Sequence, residues 1–382
     1  VWLGVRFISH TKAQRHGCFC TQQRRFVLFL RMQDNSQQSF IPLRIKQIIP
    51  EATDACTFIL EAANGKAINY IPGQFLTFIF QKRNGDEARR NYSISSSPAL
   101  GEPLQITVKR IPNGEYSRWL IDKAQEGDEL ITIGASGFFT LPENITEYQQ
   151  LVFFAAGSGI TPIYSIIKTV LHDHPSINLL LIYSNTSPAN AIFYRQLKDL
   201  QDRFAKRFKI EFLFSSEKGV LHKRLGIYVL EKFLQQYITG SPDKQLFYLC
   251  GPFEYMRMIT IVLRNNGTAA YNIRKEIFNI EKPARKAEPP DKEVHRVRLI
   301  LGENEYQFDT QYPQTILQAA KAFKIPVPYS CESGQCGTCA ATCTIGKVWM
   351  WHNEVLMDDE ITAGRVLTCT GYPIGGDVEL NF

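Results

Sequence analysis

The chain's 382 residues, 44% of them hydrophobic, suffice for two or three domains with cores of their own. No run of eighteen or more apolar residues occurs, which argues against a membrane span. The formal charge of +6 is concentrated in residues 1–31, where Arg6, Lys12, Arg15, Arg24, Arg25 and Arg31 meet no acid; the other 37 basic residues face 37 acidic ones, and so neutral a body argues against nucleic acid as a partner.

In chain order, residues 1–39 are an N-terminal extension without clear periodicity, expected to stay unfolded; its basic, acid-free start has a transit peptide as the other reading. Residues 40–147 hold short β-rich runs at 55–61, 75–81, 104–110 and 129–133, broken by turn residues as in a small antiparallel β-barrel. Residues 148–280 alternate strands at 151–156, 177–183, 209–214 and 245–250 with helical stretches at 161–172 and 189–208. That alternation predicts a doubly wound α/β domain on a parallel sheet. Residues 281–293, with three prolines and eight charges, read as a linker stiffened by Pro289 and Pro290. An 89-residue module, 294–382, then opens on the alternating Val294, Val297, Leu299 and Leu301.

Five of the nine cysteines lie between Cys331 and Cys369, too clustered for a disulfide scaffold in a chain this long and suggestive of metal in a reducing, cytoplasmic compartment. The spacing of Cys331, Cys336, Cys339 and Cys369, C-x4-C-x2-C-x29-C, is that of a plant-type [2Fe-2S] ligand set. Gly334 and Gly337 let backbone N–H groups turn toward sulfur inside the loop. Zinc could also take four cysteines, but zinc ribbons usually bring two C-x2-C pairs and here there is one. Cys343 falls outside the pattern and reads as a small packed side chain.

On these residues the last module resembles a plant-type ferredoxin domain of α+β, β-grasp type, and residues 40–382 resemble the ferredoxin-reductase superfamily. The run Arg90-Asn91-Tyr92-Ser93-Ile94-Ser95, read as following a strand, is similar to that superfamily's R-x-Y-S flavin signature. Its chemistry is legible alone: a guanidinium for the pyrophosphate, an aromatic face for the isoalloxazine and hydroxyls near its reactive edge. Pro72 to Phe75 upstream, and Gly114 with Ser117 downstream at a helix start, sit as in the family. The latter pair favours FAD over FMN, and Val108 joins the implied flavin contacts. Gly157, Gly159, Thr161 and Pro162 resemble the G-x-G-x-T-P turn for dinucleotide phosphates. Gly251 and Pro252 follow Cys250 as in the family's C-G-P beside the nicotinamide, and Glu276 with Phe278 resembles an E-x-F whose aromatic covers the flavin.

The resemblance implies that nicotinamide passes a hydride to the flavin, from which electrons leave singly for the cluster. Ser93, Cys250 and Glu276 are the expected catalytic set, orienting the rings rather than acting as nucleophile or base. The domain order, with the runs around Trp349 and Cys369, resembles the reductase components of phenylacetyl-CoA epoxidase and related multicomponent oxygenases. The implied partner is an oxygenase or another electron-acceptor protein: a ring hydroxylase, a desaturase or a hybrid-cluster protein. A redox-sensing module without turnover is the alternative of another class. Coenzyme choice departs from the NADPH-preferring members: Thr186-Ser187 and Ser215-Ser216-Glu217 stand where those carry arginines. NADH is therefore expected to be favoured, with Arg195 and Lys218 as the nearest substitute cations.

Overall fold

The computed structural model describes residues 40–82, 84–216, 224–238, 240–278 and 287–382. The N-terminal extension, Glu217, Lys218 and the first six residues of the expected linker lie outside them.

The first domain comprises β1 (Ile41–Ala52), β2 (Ala55–Ala62), β3 (Phe75–Gln81), β4 (Glu87–Ser93), β5 (Gln105–Lys109), helix α1 (Glu115–Asp122) and β6 (Glu129–Ser136). The strands pair antiparallel in the order β4-β3-β6-β1-β2-β5. A bridge between Ile94 and Ile106 joins the two ends of that sheet, closing it into a barrel. Leu43, Ile45, Phe58, Leu76, Phe78 and Ile106 fill the interior. Arg90–Ser93 lie inside β4 rather than after a strand. Four of the seven β4 residues are charged or amide-bearing, so hydrophobic alternation did not mark it.

The second domain comprises β7 (Gln150–Ala156), α2 (Ile160–Asp173), β8 (Asn178–Asn185), α3 (Tyr194–Arg203), β9 (Phe208–Phe214), α4 (Ile227–Tyr237), β10 (Gln245–Cys250), α5 (Phe253–Asn265) and β11 (Ile273–Glu276). All its strands are parallel, in the order β11-β10-β7-β8-β9. Helices cover both faces, which is why β7, β8 and β10 read as continuous apolar runs. The strand order reverses between β7 and β10, the switch point at which such sheets open a crevice for ligands. The helix expected over 189–208 is shorter: Phe193, held at φ 59°, interrupts the chain before α3 starts.

Helix α2 is fastened to the barrel by buried polar contacts. Ser165 Oγ donates to Ser96 O at 2.6 Å, Ser97 and Thr169 hydroxyls meet at 2.6 Å, and Lys168 pairs with Glu102. Glu102 also accepts Ser97 N–H at 2.7 Å.

The third domain comprises β12 (His295–Leu301), β13 (Asn304–Thr310), α6 (Ile316–Ala322), β14 (Ala340–Ile345), β15 (Val348–Met350), α7 (Asp358–Thr362), β16 (Arg365–Leu367), β17 (Gly371–Pro373) and β18 (Val378–Asn381). Its mixed sheet runs β13-β12-β18-β14-β16, with β15 and β17 pairing separately. Helix α6 starts on a capping box between Thr315 and Gln318 and buries Ile316, Leu317, Ala319 and Ala320 against the sheet. The described end of the expected linker is anchored rather than loose: Pro289 is buried, and Asp291 accepts from Gly375 N at 2.6 Å and meets His295 Nε2 at 2.8 Å.

Candidate active site and cluster loop

A cleft of about 880 Å³ opens where the three domains meet. Arg90 and Ser93 line it from the barrel, Glu276 and Phe278 from the end of the parallel sheet, and Cys331 and Cys336 from the third domain. Ser93 and Glu276, 183 residues apart, are brought together at strand ends, Ser93 Oγ donating to Glu276 Oε1 at 3.2 Å. Glu276 Oε2 is shut off from solvent and has no partner among the described atoms. Burial pushes the Glu276 carboxyl up to about 8, against the opposing pull of the Ser93 hydroxyl. Near neutrality this carboxyl therefore holds a proton at the edge of the cleft.

Along β4 the pleat sends alternate residues to opposite sides. Arg90 lies 4.9 Å over the ring of Tyr116 from α1, which stacks on Phe80 at 4.4 Å. Tyr92, half-buried, tilts against Phe78 at 6.0 Å, and burial pushes its hydroxyl far above the usual range. Two expected flavin contacts turn away from the cleft. Ser95, 1% exposed, accepts from Thr107 Oγ1 at 3.0 Å within the barrel, and Val108 is packed in the barrel core. Both follow from barrel closure, which points this stretch inward. The Ser117 hydroxyl, expected to face phosphate, accepts from Ile111 N at 3.2 Å and donates to Gly114 O at 3.4 Å, so it braces the start of α1. Ile111 itself lines the cleft.

The nicotinamide motifs converge on the switch point. Gly157, Ser158 and Gly159 form a tight turn from β7 into α2, with Gly157 O accepting from Tyr183 OH at 3.0 Å. Gly159 backs directly onto the carbonyl of Cys250: a Cβ there would stand 2.0 Å from Cys250 O. The start of the fourteen-residue α2, and with it the positive end of the helix dipole, thus lies against the end of β10. Thr161 is 1% exposed with no partner for its Oγ1 among the described atoms, and Pro162 is buried beside it. Cys250 is wholly buried, and burial, then the nearby Glu276, pushes its thiol up, so it is a packed neutral group rather than a nucleophile. Gly251 packs against Ala156, and Pro252 caps α5. In the runs expected to select the coenzyme, Ser216 N donates to Thr186 O at 2.9 Å, which sets the two segments side by side; Arg195 is exposed on α3.

Cys331, Cys336, Cys339 and Cys369 are each no more than 8% exposed. Their thiols interact directly: hydrogen bonds from Cys336 and Cys369 draw Cys331 well below the ordinary thiol range, and the same contacts push those two up. Ser333 N and Gln335 N donate to Cys331 Sγ at 3.4 and 3.5 Å, the inward-turned amides that the loop's glycines were expected to allow. Gly334 and Gly337 both sit at φ 76°; a Cβ at Gly337 would meet the Phe138 ring at 2.5 Å. Thr368 N and Oγ1 bond Cys339 O, which carries Cys369 to the loop from beyond β16. Among the described residues no His, Cys, Asp and Glu side chains are gathered as around a single ion. Loop position, buried thiols in contact and amides aimed at sulfur fit an iron–sulfur core, and Cys343 stands apart, half-buried, with its Sγ on Ile345 O.

Residues 41–141 match the oxidoreductase FAD-binding domain, 153–260 the oxidoreductase NAD-binding domain, and 300–373 the 2Fe-2S iron-sulfur cluster binding domain. One component of the 1,2-phenylacetyl-CoA epoxidase of Escherichia coli is 31% identical over 90% of this chain and 98% of its own length. The chain belongs to this family of flavin and iron–sulfur reductases. The glycine betaine monooxygenase reductase of Pseudomonas aeruginosa is 27% identical over 89% of this chain and 94% of its own. Among solved structures, phthalate dioxygenase reductase shares the fold across 90% of this chain and 98% of its own, with a TM-score of 0.56 and 24% identity. A self-sufficient cytochrome P450 monooxygenase gives a TM-score of 0.67 and 20% identity, over 89% of this chain and 41% of its own.

As a member of this reductase family, the chain is an NAD(P)H-dependent oxidoreductase with FAD, nicotinamide and [2Fe-2S] domains. Among its described residues no helix is long and apolar enough to cross a membrane. Sequence reasoning about the reductase missed the residues that join the barrel side of the cleft to the cysteine loop. Phe75 packs on Cys331 and Cys336, and Ser136 and Thr338 hydroxyls meet at 3.3 Å. Only Phe75, within the quoted Pro72 to Phe75 run, carried any signal.

Proposed function

We propose that this chain is the reductase component of a multicomponent oxygenase, most like that of phenylacetyl-CoA epoxidase, and that it delivers electrons to a separate oxygenase protein. One observation carries the reading: a single cleft has the Ser93–Glu276 pair on one wall and Cys331 and Cys336 on another. When bound, the cofactors supply hydride acceptance at the flavin and one-electron storage at the cluster. Arg90 neutralises flavin phosphate, Tyr92 flanks the ring system, and Ser93 with protonated Glu276 offers hydrogen bonds where charge changes. Phe278, 43% exposed, covers the cleft from the nicotinamide side. Gly157, Gly159 and Thr161 receive the dinucleotide phosphates, while Cys250, Gly251 and Pro252 form the floor beside them. The four cysteines hold the cluster, and a cytoplasmic setting suits thiols that must stay reduced until iron is loaded.

Relatives that are reductases of a glycine betaine monooxygenase and of a 3-ketosteroid monooxygenase support a hydroxylase as the partner in the second reading. The test is Cys336→Ser in purified protein with flavin and iron quantified. NADH-dependent flavin bleaching should persist, while cytochrome c reduction and turnover of a reconstituted oxygenase are lost. Loss of bleaching and cytochrome c reduction together in a folded protein, or stoichiometric zinc without iron in the wild type, would contradict this order of carriers. Turnover restored to an epoxidase but not to a hydroxylase separates the two partners.

A further inference from the structure

Strand β4 carries two arginines in succession, and the family signature uses only the second. Arg89 and Asn91 face away from Arg90 and Tyr92, onto the third domain. The Arg89 guanidinium lies 3.6 Å from the ring centroid of Tyr329, and its Nη1 donates to Tyr329 O at 2.9 Å. Its Nη2 pairs with Glu87 at 3.4 Å, and the side chain is 5% exposed. Two positions on, Asn91 Oδ1 accepts from Ser330 Oγ at 2.6 Å and from Thr77 Oγ1 at 2.9 Å. Lys321 Nζ also stands over the Tyr329 ring at 4.3 Å and bridges to Glu332 at 3.0 Å. Tyr329 and Ser330 immediately precede Cys331.

We infer that Arg89 is a positioning residue that seats the Cys331 loop on the flavin barrel and so sets the separation of the two redox sites. A planar guanidinium can stack on a ring and donate sideways to that residue's carbonyl at once; an ammonium cannot do both. A charge this deeply covered is costly to strand, so the seam favours one seating of the domain. Transfer between the sites falls steeply with distance, whereas hydride arrival at the flavin does not involve this contact. The inference rests on the reading of flavin and cluster as successive carriers.

The experiment is rapid mixing of holoprotein with NADH, following flavin and cluster absorbance separately in wild type, Arg89→Ala, Arg89→Lys and Asn91→Ala. Hydrogen exchange over residues 329–338 is measured on the same samples. In Arg89→Ala, flavin bleaching should stay within about twofold of wild type. Cluster reduction should slow by about tenfold or more, the change in seated population expected from losing a stacked, hydrogen-bonded cation. Exchange at 329–338 should quicken, Arg89→Lys should recover part of both, and Asn91→Ala should shift both less in the same direction. Wild-type cluster reduction in Arg89→Ala, equal slowing of both phases, or unchanged exchange overturns the assignment. A wild-type protein that bleaches its flavin but never reduces its cluster overturns the carrier reading itself.

Discussion

Replacing Gly159 with alanine should separate nicotinamide delivery from everything downstream. The new Cβ would stand 2.0 Å from Cys250 O and 2.5 Å from its carbonyl carbon, and both belong to backbone that cannot rotate aside. Contact becomes ordinary near 3.4 Å. The turn must therefore lift off the end of β10 by about 1.4 Å, an overpacking expected to destabilise this domain by about 1–3 kcal/mol. Because the same turn starts α2, the phosphate site proposed there moves with it, and a displacement of about 1 Å can cost on the order of 100-fold in rate. Flavin bleaching at varied NADH should fall by at least about tenfold with a raised apparent KM. The flavin and cluster spectra, and cluster reduction by dithionite, should be unaltered. Bleaching and KM near wild-type values in the alanine variant would refute the claim that Gly159 is fixed against Cys250.

Glu276 supplies a pH test: with its carboxyl raised from 4.5 to about 8, the folded chain keeps a proton that the unfolded chain has lost across that window. Stability of the flavin-free protein should thus decline as pH rises through the window and level off above it, and Glu276→Gln, which still accepts from Ser93, should flatten the slope in denaturant titrations. Lys168→Met should destabilise by about 3 kcal/mol because the carboxylate of Glu102 is left without its cation, and adding Glu102→Gln should recover part of that in urea unfolding. Steady-state ferricyanide reduction should give a higher specificity constant with NADH than with NADPH, about tenfold for each 1.4 kcal/mol of missing phosphate contact. Parity would mean that Arg195 or Lys218 grips the 2′-phosphate.

Much of this architecture was legible where side-chain pattern and backbone geometry coincide. The strands Phe75–Gln81 and Gln245–Cys250 have the bounds expected from their largely apolar runs. The cysteine spacing and the glycine turn announced themselves because each motif encodes a local backbone shape. Strand β1 was not picked out, since Pro42, Pro50 and scattered charges blur its alternation. Ser95, Val108 and Ser117, expected to face the flavin, turn inward or brace a loop, and direction within a segment depends on barrel closure. The Ser93–Glu276 and Arg89–Tyr329 contacts span 183 and 240 residues, and no local signal reports a meeting at that range.

The alternation of β4 also limits how this protein can change over evolutionary time. Surface substitutions elsewhere on the third domain leave the strand untouched. A single-residue insertion or deletion at the start of β4, by contrast, inverts its parity: Arg90 and Tyr92 would turn to the face now held by Arg89 and Asn91, and the reverse. Drift by substitution is open to this segment, but changes of length are tolerable only in pairs, or in the turn around Asn84 and Gly85 that precedes it.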